Sequence, residues 1–142
     1  MEIACLTRRV RFSAAHRYYR DEWSAERNQA VFGACANPHG HGHNYRLEVT
    51  VQAPVDDATG FSADLAALDA ILRDEVLTPL DHRHINHAVP EFGAGGMIPT
   101  CENLLRWMWP RIARRVAAPA LLQRLVLHED DDLWVEYRGG DA

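Results

Sequence analysis

The chain has 142 residues, of which 47% are hydrophobic and 25% charged, with a formal net charge of -5. A domain of that size buries roughly two thirds of its unfolded surface without staples, and the acidic balance excludes the broad basic footprint of nonspecific nucleic-acid binding. All 15 basic residues are arginine, which rules out Schiff-base and P-loop lysine chemistry.

Over residues 6–16 the even positions Leu6, Val10, Phe12, Ala14 and His16 share a period of two, interrupted at Arg8. This predicts a strand whose inner face ends in a histidine. The alternation is cleaner over residues 41–51, where His41, His43, Tyr45, Leu47, Val49 and Val51 face one way and Asn44, Arg46, Glu48 and Thr50 the other. After a turn-like stretch at residues 54–60, Leu65, Leu68, Ile71, Leu72 and Val76 recur at helical spacing. Ser62 or Asp64 caps this helix, which is expected to stop before Pro79. Leu104, Leu105, Met108, Ile112 and Val116 predict a second helix with Thr100 as its N-cap, kinked or ended early by Pro110. Residues 121–128 and 133–137, joined by the acidic turn Asp130-Asp131-Asp132, predict a hairpin. The order β-β-α-α-β-β argues for one α+β domain over residues 1–142, a four-stranded antiparallel sheet with two helices on one face.

His41-Gly42-His43 carries the strongest chemical signal. On a strand, residues i and i+2 project from one face about 7 Å apart, so both imidazoles can reach one ion. His16, ending the inner face of the first strand, is the candidate third ligand, and three neutral imidazoles suit a catalytic zinc with an open fourth position. A chance pair among eight histidines, or a satisfied core pair, is the competing reading. Cys35 precedes His41 in a Gly- and Pro-containing loop, where a nearby cation would lower its pKa and make the thiolate a base or nucleophile. A buried inert cysteine and a fourth zinc ligand are its alternatives.

Cys5 and Cys101 read as buried, inert thiols. Three widely spaced cysteines imply a reducing compartment. No signal-peptide pattern opens the chain, and no apolar run approaches the length of a membrane span, so the expectation is a cytoplasmic protein with no membrane or nucleic-acid partner. Asp81 could orient a neighbouring imidazole in Asp81-His82, or the pair could simply be solvated. Glu129 reads as a hairpin-edge acid and Glu102 as a dipole-favoured acid in a helical first turn.

Together FSAAHR, FGACANPHGHGHNY, TGFSADLAAL, PLDHRHIN, PTCENL and LVLHEDDDLWVEYRG, spread from residue 12 to residue 139, resemble the 6-pyruvoyl-tetrahydropterin synthase family. The resemblance implies that His16, His41 and His43 bind zinc, that Cys35 is the catalytic base, and that Asp81 with His82 completes a proton relay. It further implies that Glu129 anchors the pterin ring and joins the relay, and that Thr100 and Glu102 line the substrate pocket. Cys101 and Ala34 depart from the animal-type pattern, which carries a threonine and often a lysine there. The family joins three sheets edge to edge into a barrel, the tunnelling fold, and stacks two trimers. This implies a homohexamer with its active site between subunits and Glu129 contributed across an interface.

One branch of the family eliminates triphosphate from 7,8-dihydroneopterin triphosphate and isomerises the side chain. The other makes 6-carboxy-tetrahydropterin for deazapurine synthesis and typically has three residues between the cysteine and the first zinc histidine. Here residues 36–40 make five, which favours the pyruvoyl type. A noncatalytic module with zinc closed by Cys35 is an alternative. A zinc hydrolase ranks below it, because no H-E-x-x-H motif is present.

Overall fold

Two long strands dominate the computed structural model, which describes residues 2–140. Strands β1 (Ile3–His16) and β2 (His41–Pro54) pair antiparallel throughout, from Ile3 opposite Pro54 to His16 opposite His41. Directly opposed residues share a face. Phe12, Ala14 and His16 therefore stand beside Tyr45, His43 and His41, and the Phe12 and Tyr45 rings stack at 4.8 Å. The other face is polar: Arg9 pairs with Glu48, and Ser13 Oγ donates to Asn44 Oδ1 at 2.7 Å. Cys5 shares that face opposite Gln52 and is exposed, contrary to the buried reading.

The chain then adds helices and short strands: α1 (Ala25–Phe32), α2 (Leu65–Leu72), α3 (Thr78–Leu80), β3 (Arg83–His84), α4 (Ile85–Ala88), α5 (Cys101–Ala113), β4 (Leu121–His128) and β5 (Trp134–Tyr137). β4 pairs antiparallel with β2, and β5 with β4, while β3 pairs parallel with β1 at Ala14 and Ala15. The sheet is thus mixed and five-stranded, in the order β3-β1-β2-β4-β5, which corrects the four-stranded antiparallel expectation. Two ladder residues are too few to show a period. β3 is laid on the edge by the backbone, the His82 N–H donating to the Ser13 carbonyl at 2.6 Å.

Helices α2 and α5 cover the Tyr45 face, joining Leu68, Leu72, Leu104, Leu105, Met108 and Ile112 to Leu47, Val49, Leu125 and Leu127 in the core. Asp64 and Thr100 cap them, accepting from the N–H groups of Ala67 and Asn103. The helical run does not stop before Pro79. It widens into a π turn (Arg73–Leu77) and continues as α3 with Pro79 in its first turn. Proline lacks the N–H that would meet the Glu75 carbonyl, and Arg111 Nε donates to that carbonyl instead, at 3.3 Å. The Glu75 carboxylate pairs with Arg111, Arg114 and Arg115, fastening this turn to α5. Pro110 does not end α5 either. Both Pro110 and Arg106, whose carbonyl loses its partner, face solvent, so the lost bond leaves no buried carbonyl bare.

The short helix α1 has no apolar stripe in AERNQAVF and gives no periodic signal. It is held by its ends: Ser24 Oγ accepts from the Arg27 N–H, and buried Asn28 exchanges hydrogen bonds with the Arg20 backbone. A 3-10 turn (Gly33–Ala36) follows and carries Cys35. Among the described residues no helix is long and apolar enough to cross a membrane.

Candidate active site

The β1–β2 register assembles the centre. His16 stands directly opposite His41, and His43 follows on the same face, so that ligating nitrogens of the three lie within 4.8 Å of one another. His16 Nε2 is 3.1 Å from His41 Nε2. Burial, reinforced by His41 and His43, lowers the His16 pKa to about 3, and burial lowers that of His41. Both rings are therefore neutral at pH 7, the form that binds a metal. His43 Nε2 is buried without a hydrogen-bond partner among the described residues. An orphaned imidazole nitrogen facing two neutral imidazoles fits a divalent cation.

Two features hold the triad in place. Gly40, at φ 71°, leads into His41, and a Cβ there would stand 2.6 Å from the His16 carbonyl oxygen, so only glycine permits this approach. The Tyr45 hydroxyl lies 2.9 Å from His16 Nδ1. That contact engages Nδ1 and leaves Nε2 for the cluster.

Cys35 Sγ is 4.0 Å from His41 Nε2, and the Cys35 carbonyl accepts from the Tyr18 N–H at 2.8 Å. Burial, then the Glu129 carboxylate, push the thiol pKa up. A cation on the histidines would act in the opposite sense. Glu129 Oε1 lies 3.4 Å from His43 Nε2 and 3.6 Å from His16 Nε2, and accepts from the Tyr18 hydroxyl at 3.3 Å. The expectation that Glu129 reaches a neighbour's cluster is thereby corrected. β4 runs antiparallel to β2, so its C-terminal end arrives at the start of β2, beside the chain's own histidines.

Asp81 and His82 pair with each other but stand elsewhere. Asp81 Oδ1 accepts from the Ser13 N–H at 2.9 Å and lies 3.0 Å from His82 Nδ1, contacts that hold the carboxyl below its usual range. The His82 side chain is 82% exposed, and its backbone adopts φ 59°. It borders open depressions at the sheet edge, lined by Arg11, Ser13, Asn44 and Arg46 of the polar face together with Phe12, His43 and Tyr45 of the histidine face. Thr100 is the α5 cap, and Glu102 is exposed in its first turn. Cys101 is buried, and burial, then Glu129, push its thiol up to about 12.

Sequence reasoning passed over Tyr18 and Tyr45 as site residues. Tyr45 continues the His41-x-His43 alternation and was open to discovery by the same period. Tyr18 lies beyond the end of β1, where no period applies.

A family model described as 6-pyruvoyl tetrahydropterin synthase matches residues 5–140. The human protein named 6-pyruvoyl tetrahydrobiopterin synthase is 38% identical over 136 residues, covering 96% of this chain and 92% of that protein. A Pyrococcus furiosus protein named dihydroneopterin monophosphate aldolase is 30% identical over 128 residues, covering 90% of this chain and 91% of that one. The solved structure of Caenorhabditis elegans 6-pyruvoyl tetrahydropterin synthase superposes with a TM-score of 0.90 at 32% identity, covering 99% of this chain and 98% of that one. With a matching family model along almost its whole length, a shared fold and relatives at this identity, the chain belongs to the 6-pyruvoyl tetrahydropterin synthase family.

Proposed function

We propose that the protein is a zinc-dependent carbon–oxygen lyase that eliminates triphosphate from 7,8-dihydroneopterin triphosphate and isomerises the side chain to give 6-pyruvoyl-tetrahydropterin. The observation that carries this reading is the meeting, in one chain, of the His16, His41 and His43 nitrogens with a thiol 4.0 Å and a carboxylate 3.4 Å away. Zinc held by these three histidines would supply Lewis acidity toward the substrate's side-chain hydroxyls. Cys35, as thiolate, takes the proton from the adjoining carbon. Glu129, whose Oε1 faces the histidine nitrogens, accepts a hydroxyl proton there. Anchoring the ring is the other role that the family resemblance gives Glu129. The amino-pyrimidine edge, however, lies a whole fused bicycle away from the side chain, too far for a carboxylate beside the metal ligands. Thr100 and Glu102, at the mouth of α5, suit that edge better, since a carboxylate can accept paired N–H donors.

His82, polarised by Asp81, returns a proton to the substrate. No hydrogen bond or ion pair joins Asp81 or His82 to their own Cys35 or Glu129 among the described residues, which favours a second copy as their source. The open edges at β3 and β5, with Leu133 beside β5 and Trp134 in it half exposed, support edge-to-edge assembly, and the family resemblance extends this to a homohexamer of two stacked trimers. Three free cysteines support a reducing, cytoplasmic setting.

Formation of 6-carboxy-tetrahydropterin and aldol cleavage of the side chain draw on the same groups. The five-residue spacing from Cys35 to His41 and the pyruvoyl-type name of the human relative favour the first reading. Incubating the zinc-loaded protein with dihydroneopterin triphosphate and weighing the products decides it. Release of triphosphate with a three-carbon side chain retained supports the proposal, and a shortened side chain rejects it.

A further inference from the structure

Tyr18 touches three groups around the histidine cluster. Its N–H donates to the Cys35 carbonyl at 2.8 Å, its hydroxyl donates to Glu129 Oε1 at 3.3 Å, and its ring stands 4.6 Å from the His16 ring. The ring is braced from α1: Phe32 meets it edge-on at 6.0 Å, and Phe32 itself stacks on Trp23 at 5.7 Å. Glu129 has no comparable brace of its own. It follows β4 in a hairpin, and its Oε1 lies near His16 and His43 without hydrogen bonding to either. Among the described residues the Tyr18 hydroxyl is the one side-chain donor to that carboxylate. At 3.3 Å the contact is longer than the usual O–H···O bond, and as the one side-chain donor in reach it restricts the otherwise broad terminal carboxylate torsion.

We propose that Tyr18 is a positioning residue for Glu129, its phenol O–H pinning one carboxylate oxygen beside the His16 and His43 nitrogens so that the carboxylate is aimed at whatever the cluster binds. The inference rests on reading the cluster as a metal centre that converts a pterin side chain. Tyr18 does not touch substrate in this scheme. It sets where Glu129 acts, and its backbone N–H sets the Cys35 turn against the same point.

Tyr18→Phe keeps the ring and removes only the donor, so the packing on Phe32 and His16 survives. The test pairs it with Glu129→Ala and with the double variant, using zinc-loaded protein for kinetics and cobalt(II)-loaded protein for visible absorption. Tyr18→Phe is expected to keep full metal content and to lower kcat about tenfold, the scale of one lost hydrogen bond, with KM nearly unchanged. In the Glu129→Ala background it should cost nothing further. The cobalt bands of Tyr18→Phe should move from the wild-type positions toward those of Glu129→Ala. Unaltered kcat in Tyr18→Phe, or losses that multiply in the double variant, overturns the proposal. If the wild-type protein does not turn over the pterin triphosphate, the proposed function fails by itself and the cobalt spectra decide the role of Tyr18. Bands that Tyr18→Phe leaves in place then reject it, and bands displaced toward those of Glu129→Ala uphold it.

Discussion

The phenol oxygen of Tyr45 lies 2.9 Å from Nδ1 of His16, and both side chains are buried. With Nδ1 engaged, the lone pair of His16 is directed through Nε2 at the point where His41 and His43 converge. Tyr45→Phe preserves the stacking on Phe12 and removes the oriented contact. Zinc affinity, measured by competition with a chromogenic chelator, is expected to fall by about 10- to 100-fold, the usual cost of losing a partner of a ligating histidine. An unchanged affinity would show that the remaining contacts, the Pro99 backbone hydrogen bond and packing, suffice to orient the ring.

The ligands themselves should be far more sensitive. His43→Ala removes the nitrogen that has no hydrogen-bond partner among the described residues, and its loss leaves two imidazoles to hold the ion. Metal content after dialysis should drop from one equivalent per chain to near zero. Full zinc retention in this variant would sink the assignment.

Cys35 differs from the ligands in what its loss should do. Its sulfur is near His41 but is not needed to complete the histidine cluster. Cys35→Ala is expected to keep zinc and the folded state while turnover falls by roughly 10²–10⁴, the contribution of a positioned acid–base group. If zinc binding and thermal stability fall together instead, the thiol closes a structural site and the catalytic reading fails.

Much of this centre was legible because it lies on regular strands. The period of two placed His41, His43 and Tyr45 on one face, Thr100 announced its helix as a cap, and of the two caps offered for the other helix, Ser62 and Asp64, Asp64 holds it. What escaped depends on contacts between distant segments. Pro79 continues a helix because Arg111, in another helix, satisfies the carbonyl that proline leaves bare. Glu129 reaches its own histidines through the β2–β4 register, which no local pattern in LVLHEDDD encodes. β3 is two residues long and exists through its pairing with Ala14 and Ala15.

The helix-free face offers a test of pH dependence away from the metal. Glu48 accepts from Arg9, with His128 3.5 Å away, and these contacts hold its pKa below the usual carboxylate range. A carboxyl depressed in the folded state contributes stability above its unfolded pKa, roughly 4.3, and that contribution is lost as pH falls through the folded value. Glu48→Gln should therefore lower the melting temperature at pH 7 and have progressively less effect as acid protonates the wild-type residue. Equal destabilisation by Glu48→Gln at pH 7 and at pH 2.5 would mean that charge is not the cause.

The separation of His82 from Cys35 makes a sharper demand on assembly. Cys35 and Glu129 surround one histidine cluster in one chain, whereas His82 is exposed at the sheet edge beside Ser13 and Asn44, with no polar contact to Cys35 or Glu129 among the described residues. If a second copy supplies the relay, each site combines Cys35 and Glu129 of one chain with His82 of another. Inactive Cys35→Ala and His82→Ala proteins, denatured together in equal amounts and reassembled, should then regain activity in about a quarter of their sites, as random pairing in a closed oligomer gives. Cys35→Ala mixed with Glu129→Ala should regain none, because every site inherits one defect or the other. Recovery in the second mixture would place Glu129 across the interface. Absence of recovery in the first, in oligomers shown by mass to be mixed, would mean that each site draws Cys35 and His82 from the same chain, and the shared-site reading would fail.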